Sequence, residues 1–214
     1  MTDVKEEAVP LLIYDHQSKS NYLDWYQDFT LTEKGENILR NLKSPFGVIA
    51  VAGMYRTGKS YLLNRMLLNR SNGFSVGPSI NPCTKGLWMW SKPINSSSEE
   101  FNNMPLMLID TEGFGAFDED HNHDIRIFTL AILLSSYFIY NSLGTIDENA
   151  IQSLSFVINL SKHIQLKSNE KYSSEPDPNE LASLFPSFLW VLRDFSLQLV
   201  DDNGEQITAK VLKY

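Results

Sequence analysis

Two glycines, a lysine and a serine with a fixed spacing could together bind a phosphate chain and a divalent cation. Residues 53–60 fit the pattern G-x-x-x-x-G-K-[ST]. The defined positions are occupied by Gly53, Gly58, Lys59 and Ser60. The glycines let the backbone approach a phosphate, the lysine supplies positive charge, and the serine supplies an oxygen ligand for Mg²⁺. The pattern therefore predicts a nucleotide-binding P-loop, and a chance match in a turn is the alternative.

Further along the chain, a carboxylate follows an apolar run. Residues 105–110 are apolar and end in Asp110, which is typical of a buried strand that delivers a Mg²⁺ ligand. Asp110 and Gly113 also fit D-x-x-G, whose glycine amide can contact a γ-phosphate. Thr84 lies in a long polar connection, and this place after the P-loop favours a switch residue that binds Mg²⁺ over a threonine that caps a turn.

The segments around these residues predict an α/β fold. Residues 46–52 are predicted to be a buried parallel strand that enters the P-loop, and residues 61–68 the helix that leaves it. Other strands are predicted at 9–14, 87–90, 105–110 and 185–192, and other helices at 32–42, 124–140 and 146–164. Pro10 places the first strand at an edge. We expect a three-layer P-loop NTPase with a mainly parallel central sheet and helices on both faces.

Composition excludes several classes of protein. The chain has 214 residues, a formal net charge of −8 and a single cysteine, Cys83. Negative charge argues against a broad nucleic-acid surface, and one cysteine forms no internal disulfide, so a reducing, cytoplasmic compartment is expected. The apolar run at 127–140 is shorter than the roughly 20 residues of a transmembrane helix. The last three residues form no prenylation motif.

Two histidines lie in the polar, acidic segment that follows the D-x-x-G motif. His121 and His123 are two positions apart, and no cysteine or third histidine lies near them. We therefore predict solvated loop residues rather than metal ligands. Residues 114–124 as a whole are predicted to be a second switch segment.

Taken in order, these motifs resemble those of the guanylate-binding protein family, large GTPases of the dynamin superfamily. The base-reading motifs N-K-x-D and T-K-x-D have no suitable match, whereas Arg193 and Asp194 resemble the R-D motif of that family. The resemblance runs from about residue 8 to the last residue. It includes residues 53–62, 84–90, 110–115, 133–136, 140–146 and 190–195.

The resemblance implies a role for each matching residue. Arg56 corresponds to an internal arginine finger, with a solvent-facing loop residue as the alternative. Thr84 corresponds to the Mg²⁺ ligand of the first switch, and Glu112 to the residue that orders the attacking water with that switch. Asp194 is expected to accept hydrogen bonds from guanine, and Arg193 to flank the base.

The predicted site is the sum of these residues, with GTP as substrate and Mg²⁺ as cofactor. The catalytic residues are Arg56, Lys59, Glu112 and Thr84, and the metal ligands are Ser60, Thr84 and Asp110. The nucleotide contacts are Gly53, Tyr55, Arg56, Thr57, Gly58, Lys59, Ser60, Tyr61, Asp110, Gly113, Arg193 and Asp194. The resemblance also implies a nucleotide-dependent homodimer through this domain, with Asp124 near the contact.

Two departures from the family pattern leave alternatives open. Pro82 stands where some members have a serine that helps to position water. The family domain continues beyond the R-D motif, so residues 1–214 are expected to be a GTPase domain that is incomplete at its C-terminus, with one sheet edge bare. The alternatives to a GTPase are a nucleotide-binding switch with little hydrolysis, a truncated remnant that holds no nucleotide, and, as a minor one, ATP specificity.

Overall fold

The residues that the structure describes form one eight-stranded sheet with helices packed against it. The computed structural model describes residues 5–14, 29–77, 84–95, 104–115, 121–146, 148, 150–152, 154–155, 158–159, 185–198, 200 and 203–205. The strands are β1 (Ala8–Ile13), β2 (Thr30–Leu31), β3 (Gly47–Ala52), β4 (Leu87–Trp90), β5 (Ile94–Asn95), β6 (Pro105–Thr111), β7 (Tyr137–Leu143) and β8 (Ser187–Arg193). The helices are α1 (Glu33–Arg40), α2 (Lys59–Leu62) and α3 (His121–Leu134), and a π-helical turn, Leu63–Leu67, continues α2.

The strand order in the sheet is β2-β1-β4-β6-β3-β7-β8, and β5 also pairs with β6. The pairs β6–β3, β3–β7 and β7–β8 are parallel. The pairs β2–β1, β1–β4, β4–β6 and β5–β6 are antiparallel. The predicted α/β fold is confirmed, and the parallel strands form the core of the sheet around β3.

Side-chain alternation along the central strands creates two hydrophobic clusters, one on each face of the sheet. In β3, Ala50 and Ala52 belong to the cluster that contains Ile127 and Phe128 of α3. Val51 points to the other cluster, which contains Leu62 of α2. The same alternation occurs in β6 and β7. Helices therefore cover both faces of the sheet, which is the three-layer arrangement that the sequence predicts.

Thr32 caps the N-terminus of α1. Its Oγ1 accepts a hydrogen bond from the Gly35 amide at 3.0 Å and donates to the carbonyl of Pro10 at 2.6 Å. Because one hydroxyl satisfies both a helix end and a strand, it fixes α1 against β1.

The prediction of a helix at 124–140 is wrong for the C-terminal part of that range. The helix ends at Leu134, and residues from Tyr137 onward form β7. The Ser136 amide donates to the carbonyl of Val48 at 2.8 Å, which starts a parallel pairing with β3. Residues 137–140 are aromatic or β-branched and fit a strand packed on both faces.

Strand order corrects the prediction for the first strand. β1 does not form the edge of the sheet, since it lies between β2 and β4, and Pro10 is accommodated at a register shift. In β8, Phe188 is 47% exposed. Within the segment predicted to be helical at 146–164, Leu154 is buried, but Ile151 and Ile158 are exposed.

Several predicted features lie outside the described residues. They are Pro82, which departs from the family pattern, and residues 116–120 of the predicted second switch segment. Within the described part of the chain, β8 pairs with β7 alone. None of the described helices combines the length and the apolar character that crossing a membrane requires.

Candidate nucleotide-binding site

The P-loop occupies the turn between β3 and α2, at the carboxyl end of the central strand. Gly53 has φ 151°, and a Cβ atom there would lie 2.0 Å from the carbonyl oxygen of Asn141. Gly58 precedes α2 with φ 84°, in the left-handed region. Both positions therefore require glycine, one because a neighbouring backbone is so close and the other because of its own backbone conformation.

Asn141 of β7 holds the loop from the side. Its Nδ2 donates to the carbonyl of Thr57 at 2.9 Å, and the Thr57 hydroxyl donates to the carbonyl of Met54 at 2.8 Å. Asn141 is fully buried and Thr57 is buried. The loop conformation is thus set by hydrogen bonds inside the protein, which directs its remaining amides outward.

Lys59 is the buried positive charge of the site. Its Nζ donates to the carbonyl of Met54 at 3.1 Å, so the side chain curls along the loop. Burial lowers the pKa of Lys59 to about 8, and the negative charges of Asp110, Glu112 and Asp124 act in the opposite direction. Because water solvates this buried ammonium group poorly, binding of an anionic phosphate beside it is favourable.

The three predicted metal ligands converge on one point. The Ser60 hydroxyl donates to Asp110 Oδ2 at 2.6 Å, and the Thr84 hydroxyl lies 3.3 Å from the same oxygen. Asp110 is fully buried, and burial raises its pKa to about 6, opposed by Lys59 and by the two hydroxyls. Its Oδ1 has no hydrogen-bond partner among the described residues.

These oxygen atoms fit a magnesium ion. Mg²⁺ prefers hard oxygen ligands and binds through one or two protein groups together with phosphate oxygens and waters. A buried carboxylate with one free oxygen and two adjacent hydroxyls supplies such a set. Within the described ranges there is no group of three or more His, Cys, Asp or Glu side chains that would indicate another kind of metal site.

The D-x-x-G segment pairs directly with the P-loop. The Tyr55 amide donates to the carbonyl of Phe114 at 2.9 Å, and the Phe114 amide donates to the carbonyl of Gly53 at 3.3 Å. A Cβ atom on Gly113 would lie 2.3 Å from the Cα of Tyr55. The sequence predicts a γ-phosphate contact for Gly113, and the structure adds that its lack of a side chain allows this close approach.

Glu112 lies on the far side of this segment, beneath β1 and α3. Its carboxylate accepts hydrogen bonds from the Tyr14 hydroxyl at 2.9 and 3.0 Å and from the Gly86 amide at 2.8 Å. His123 Nε2 lies 3.3 Å from Oε2. His123 is on α3 and 4% exposed, so the prediction of a solvated loop residue is wrong. His121 begins the same helix, which also does not fit a loop.

The R-D motif reaches the P-loop from the end of β8. The guanidinium of Arg193 lies 3.2 Å from the position of a Cβ on Gly58 and 6.0 Å from the ring centre of Tyr61. Arg65 stacks on the same ring at 5.7 Å. Asp194 is exposed with φ 54°, a conformation that non-glycine residues rarely adopt outside special sites. The motif is therefore brought beside the phosphate loop.

Arg56 projects from the tip of the P-loop. Its side chain is exposed and its backbone has φ 61°. Tyr55, next to it, is half-buried against the D-x-x-G segment. Arg56 is thus an exposed residue of the P-loop, next to the residue whose amide bonds to the D-x-x-G segment.

Three residues of the site were not predicted from the sequence to belong to it. Asn141 was hidden because the strand that carries it was predicted partly as helix. Tyr14 and His123 have partners far away in the chain, and only the pairing of β1 with β4 and the position of α3 bring them to Glu112. A polar residue at the end of an apolar strand, as at Tyr14 and Asn141, is the one signal that could have drawn attention to them.

Comparisons with known proteins identify the family. The family model described as "Guanylate-binding protein, N-terminal domain" matches residues 26–214. The chain is 46% identical over 173 residues to guanylate-binding protein 2 of Homo sapiens, covering 80% of this chain and 28% of that protein. It is 41% identical over 186 residues to guanylate-binding protein 3 of Mus musculus, covering 86% of this chain and 29% of that protein.

The matches extend along nearly the whole chain, whereas the chain spans less than a third of the length of these relatives. The matched region includes the P-loop, the D-x-x-G segment and the R-D motif, whose residues meet in the structure. The chain therefore belongs to the guanylate-binding protein family.

Proposed function

We propose that the chain binds guanine nucleotide and hydrolyses GTP in a Mg²⁺-dependent reaction. The observation that carries this proposal is the meeting of Ser60, Thr84 and Asp110 at one carboxylate oxygen, beside the buried charge of Lys59. Three separate segments contribute these groups, so their convergence requires the whole fold. A structural turn with a chance motif would not assemble them.

Catalysis of phosphoryl transfer consists mainly of positioning and charge stabilisation. Lys59 lies along the loop and supports the β- and γ-phosphates, and the Gly113 amide donates to the γ-phosphate. Arg56 stabilises the charge that develops on the transferred group. Glu112, together with the first switch, orients the water that attacks in line. Ser60, Thr84 and Asp110 would hold Mg²⁺, which would supply positive charge to offset the negative charge of the phosphates.

The R-D motif provides base selectivity in this proposal. Asp194 accepts hydrogen bonds from N1 and the exocyclic amine of guanine. Adenine presents no such pair of donors, so it would leave a carboxylate unpaired in the bound state. The guanidinium of Arg193 lies near both Gly58 and the Tyr61 ring, which supports its proposed role of flanking the base.

The test is GTP turnover by the purified protein with Mg²⁺. Lys59→Ala should abolish nucleotide binding and turnover. Arg56→Ala should keep binding but lower the turnover rate by about 10³–10⁵, the effect of an arginine finger. Lys43→Ala and Arg40→Ala remove exposed charges outside the site and serve as matched controls. Turnover that survives Lys59→Ala would contradict the proposal, and binding without turnover in the parent would reduce it to a nucleotide-binding module.

The same assay addresses self-association. A homodimer formed through this domain would make turnover per molecule rise with protein concentration. The dimer is proposed from the family resemblance. Turnover per molecule that is independent of concentration, together with a monomeric mass in the presence of a GTP analogue and Mg²⁺, would exclude it.

A further inference from the structure

Three groups from outside the P-loop enclose the carboxylate of Glu112. Tyr14 follows β1, Gly86 precedes β4, and His123 lies in the first turn of α3. The Tyr14 hydroxyl lies 2.9 Å from Oε1 and 3.0 Å from Oε2, and the Gly86 amide donates to Oε2 at 2.8 Å. Glu112 is 1% exposed, so these groups rather than solvent determine where its carboxylate points.

The three donors leave the two carboxylate oxygens unequal. An imidazole nitrogen that faces a carboxylate carries the hydrogen, so we assign His123 Nε2 as a donor to Oε2 at 3.3 Å. The Tyr14 hydroxyl has one hydrogen, which we assign to its shorter contact, Oε1 at 2.9 Å. Oε2 then accepts from the Gly86 amide and from His123, whereas Oε1 accepts from Tyr14 alone. A carboxylate oxygen has about two acceptor positions, so Oε1 keeps one for a further donor such as water.

Aromatic packing fixes the two side-chain donors. The Tyr14 and His123 rings lie 4.2 Å apart, and Phe29 packs against both, at 5.9 and 5.6 Å. Each ring comes from a different part of the chain, so none can rotate without moving another. The direction of the open position on Glu112 is therefore held by packing as well as by hydrogen bonds.

This network is continuous with the proposed metal site. Gly86 and Glu112 bond twice, because the Glu112 amide also donates to the carbonyl of Gly86 at 2.9 Å. Two residues earlier on each segment, Thr84 contacts Asp110. The position of Glu112 and the position of the first-switch threonine are thus linked through two adjacent pairs.

We propose that Tyr14 and His123 are positioning residues for hydrolysis, which act by fixing the carboxylate of Glu112 so that Oε1 faces the attacking water. The proposal rests on the GTPase function proposed above. Neither residue belongs to the P-loop or to the R-D motif, and neither is a proposed metal ligand. Their loss should therefore affect the chemical step much more than nucleotide affinity.

The first test is Tyr14→Phe, which removes one hydroxyl and keeps the ring. We expect kcat to fall by about tenfold or more, while the Kd for a non-hydrolysable GTP analogue changes by less than about twofold. Tyr137→Phe, in β7, is the matched control and should leave both constants unchanged. An unchanged kcat in Tyr14→Phe would overturn the proposal, and so would parallel losses in kcat and affinity.

A double-mutant cycle asks whether Tyr14 acts through Glu112. Glu112→Gln should lower kcat, and adding Tyr14→Phe to it should lower kcat little further, because the hydroxyl then has no carboxylate to position. Additive effects of the two changes would overturn the proposal. Thermal unfolding of every variant is recorded, and turnover is measured well below the midpoint, so that loss of fold is not read as loss of catalysis.

His123 gives an independent test by conservative rescue. Gln places an amide donor near the position of Nε2, whereas Leu fills the space with no donor. His123→Gln should retain most of the turnover that His123→Leu loses. Equal turnover in the two variants would overturn the role of His123. A parent protein that binds nucleotide without turnover overturns both this proposal and the GTPase proposal, whereas an active parent with an equally active Tyr14→Phe variant overturns this one alone.

Discussion

At the scale of single residues, the site depends on charges removed from water. Asp110 is fully buried and Lys59 is 6% exposed. Burial raises the pKa of Asp110 and lowers the pKa of Lys59, and both shifts favour the neutral form of the side chain. Neither group gains this state from local sequence. Asp110 lies near the carboxyl end of β6, and Lys59 follows the loop at the carboxyl end of β3. A charged ligand and its cation, bound there, can compensate these two buried charges.

The sequence predicts the identity of these residues but not all of their partners. The spacing of the P-loop motif and the end of an apolar strand are enough to select Lys59, Ser60 and Asp110. The partners of Glu112 are different, since Tyr14 is separated from it by most of the preceding chain. Contacts of this kind depend on strand order and register, which no local pattern contains.

The proposed base selectivity depends on one side chain, Asp194. Asp194→Asn should weaken GTP binding by about 100-fold, because the amide places a donor against the guanine donors. The same amide can donate to the 2-oxo group of xanthine, so affinity for xanthosine triphosphate should rise. Titration with fluorescent analogues of both nucleotides measures the change. Glu33→Gln, on exposed α1, is the control, and a variant that keeps its preference for guanine would show that Asp194 does not read the base.

At the scale of elements, β7 is the main difference between expectation and structure. Residues 127–140 are apolar almost throughout, so helix and buried strand cannot be separated by periodicity there. Ser135 and Ser136 interrupt the run, and pairing with β3 decides the outcome. The strands that flank the P-loop and the D-x-x-G motif were predictable because each combines an apolar run with an adjacent functional signature.

The close contact between the P-loop and the D-x-x-G segment is a property of two elements together. Gly113→Ala would place a Cβ 2.3 Å from the Cα of Tyr55 and should separate the segments. We expect a loss of about 3 kcal/mol in unfolding free energy and a clear loss of nucleotide affinity. Thermal unfolding and analogue titration measure these two effects.

Gly144→Ala is the matched control for this steric effect. Gly144 has φ 71° and no atom within 4 Å of a built Cβ, so alanine meets strain but no clash. Its loss should be about 1 kcal/mol, with nucleotide affinity unchanged. A Gly113→Ala variant no less stable than Gly144→Ala would show that the two segments can move apart without cost.

At the scale of the whole molecule, the sheet divides into two halves of different character. The parallel half, from β6 to β8, carries the phosphate loop and the R-D motif at its carboxyl edge, while the antiparallel half contains β4, which Thr84 precedes, and β1. The fold class followed from the order of strand, loop and helix in the sequence. The antiparallel half could not be predicted in detail, because its pairing joins segments far apart in the chain.

Binding of nucleotide to the folded chain should appear as global stabilisation. A GTP analogue with Mg²⁺ at about 100 times its Kd adds about 2.7 kcal/mol, which raises the unfolding midpoint of a domain of this size by about 5–10 °C. Differential scanning calorimetry measures the shift. Lys59→Ala should show none, and an equal shift in that variant would mean that the ligand binds elsewhere. A parent without any cooperative transition would indicate that these residues do not fold by themselves.

The bonds that Asn141 and Phe114 make to the P-loop have a consequence for the kinetics of association. The loop backbone is ordered by groups of the same chain, through Thr57 on one side and Gly53 and Tyr55 on the other. Most of the conformational entropy that a phosphate-binding loop must lose is therefore lost during folding rather than during ligand capture. A nucleotide then meets a receptor already close to its bound shape, and the frequency of productive encounters, rather than a slow rearrangement of the loop, sets how fast phosphate is captured.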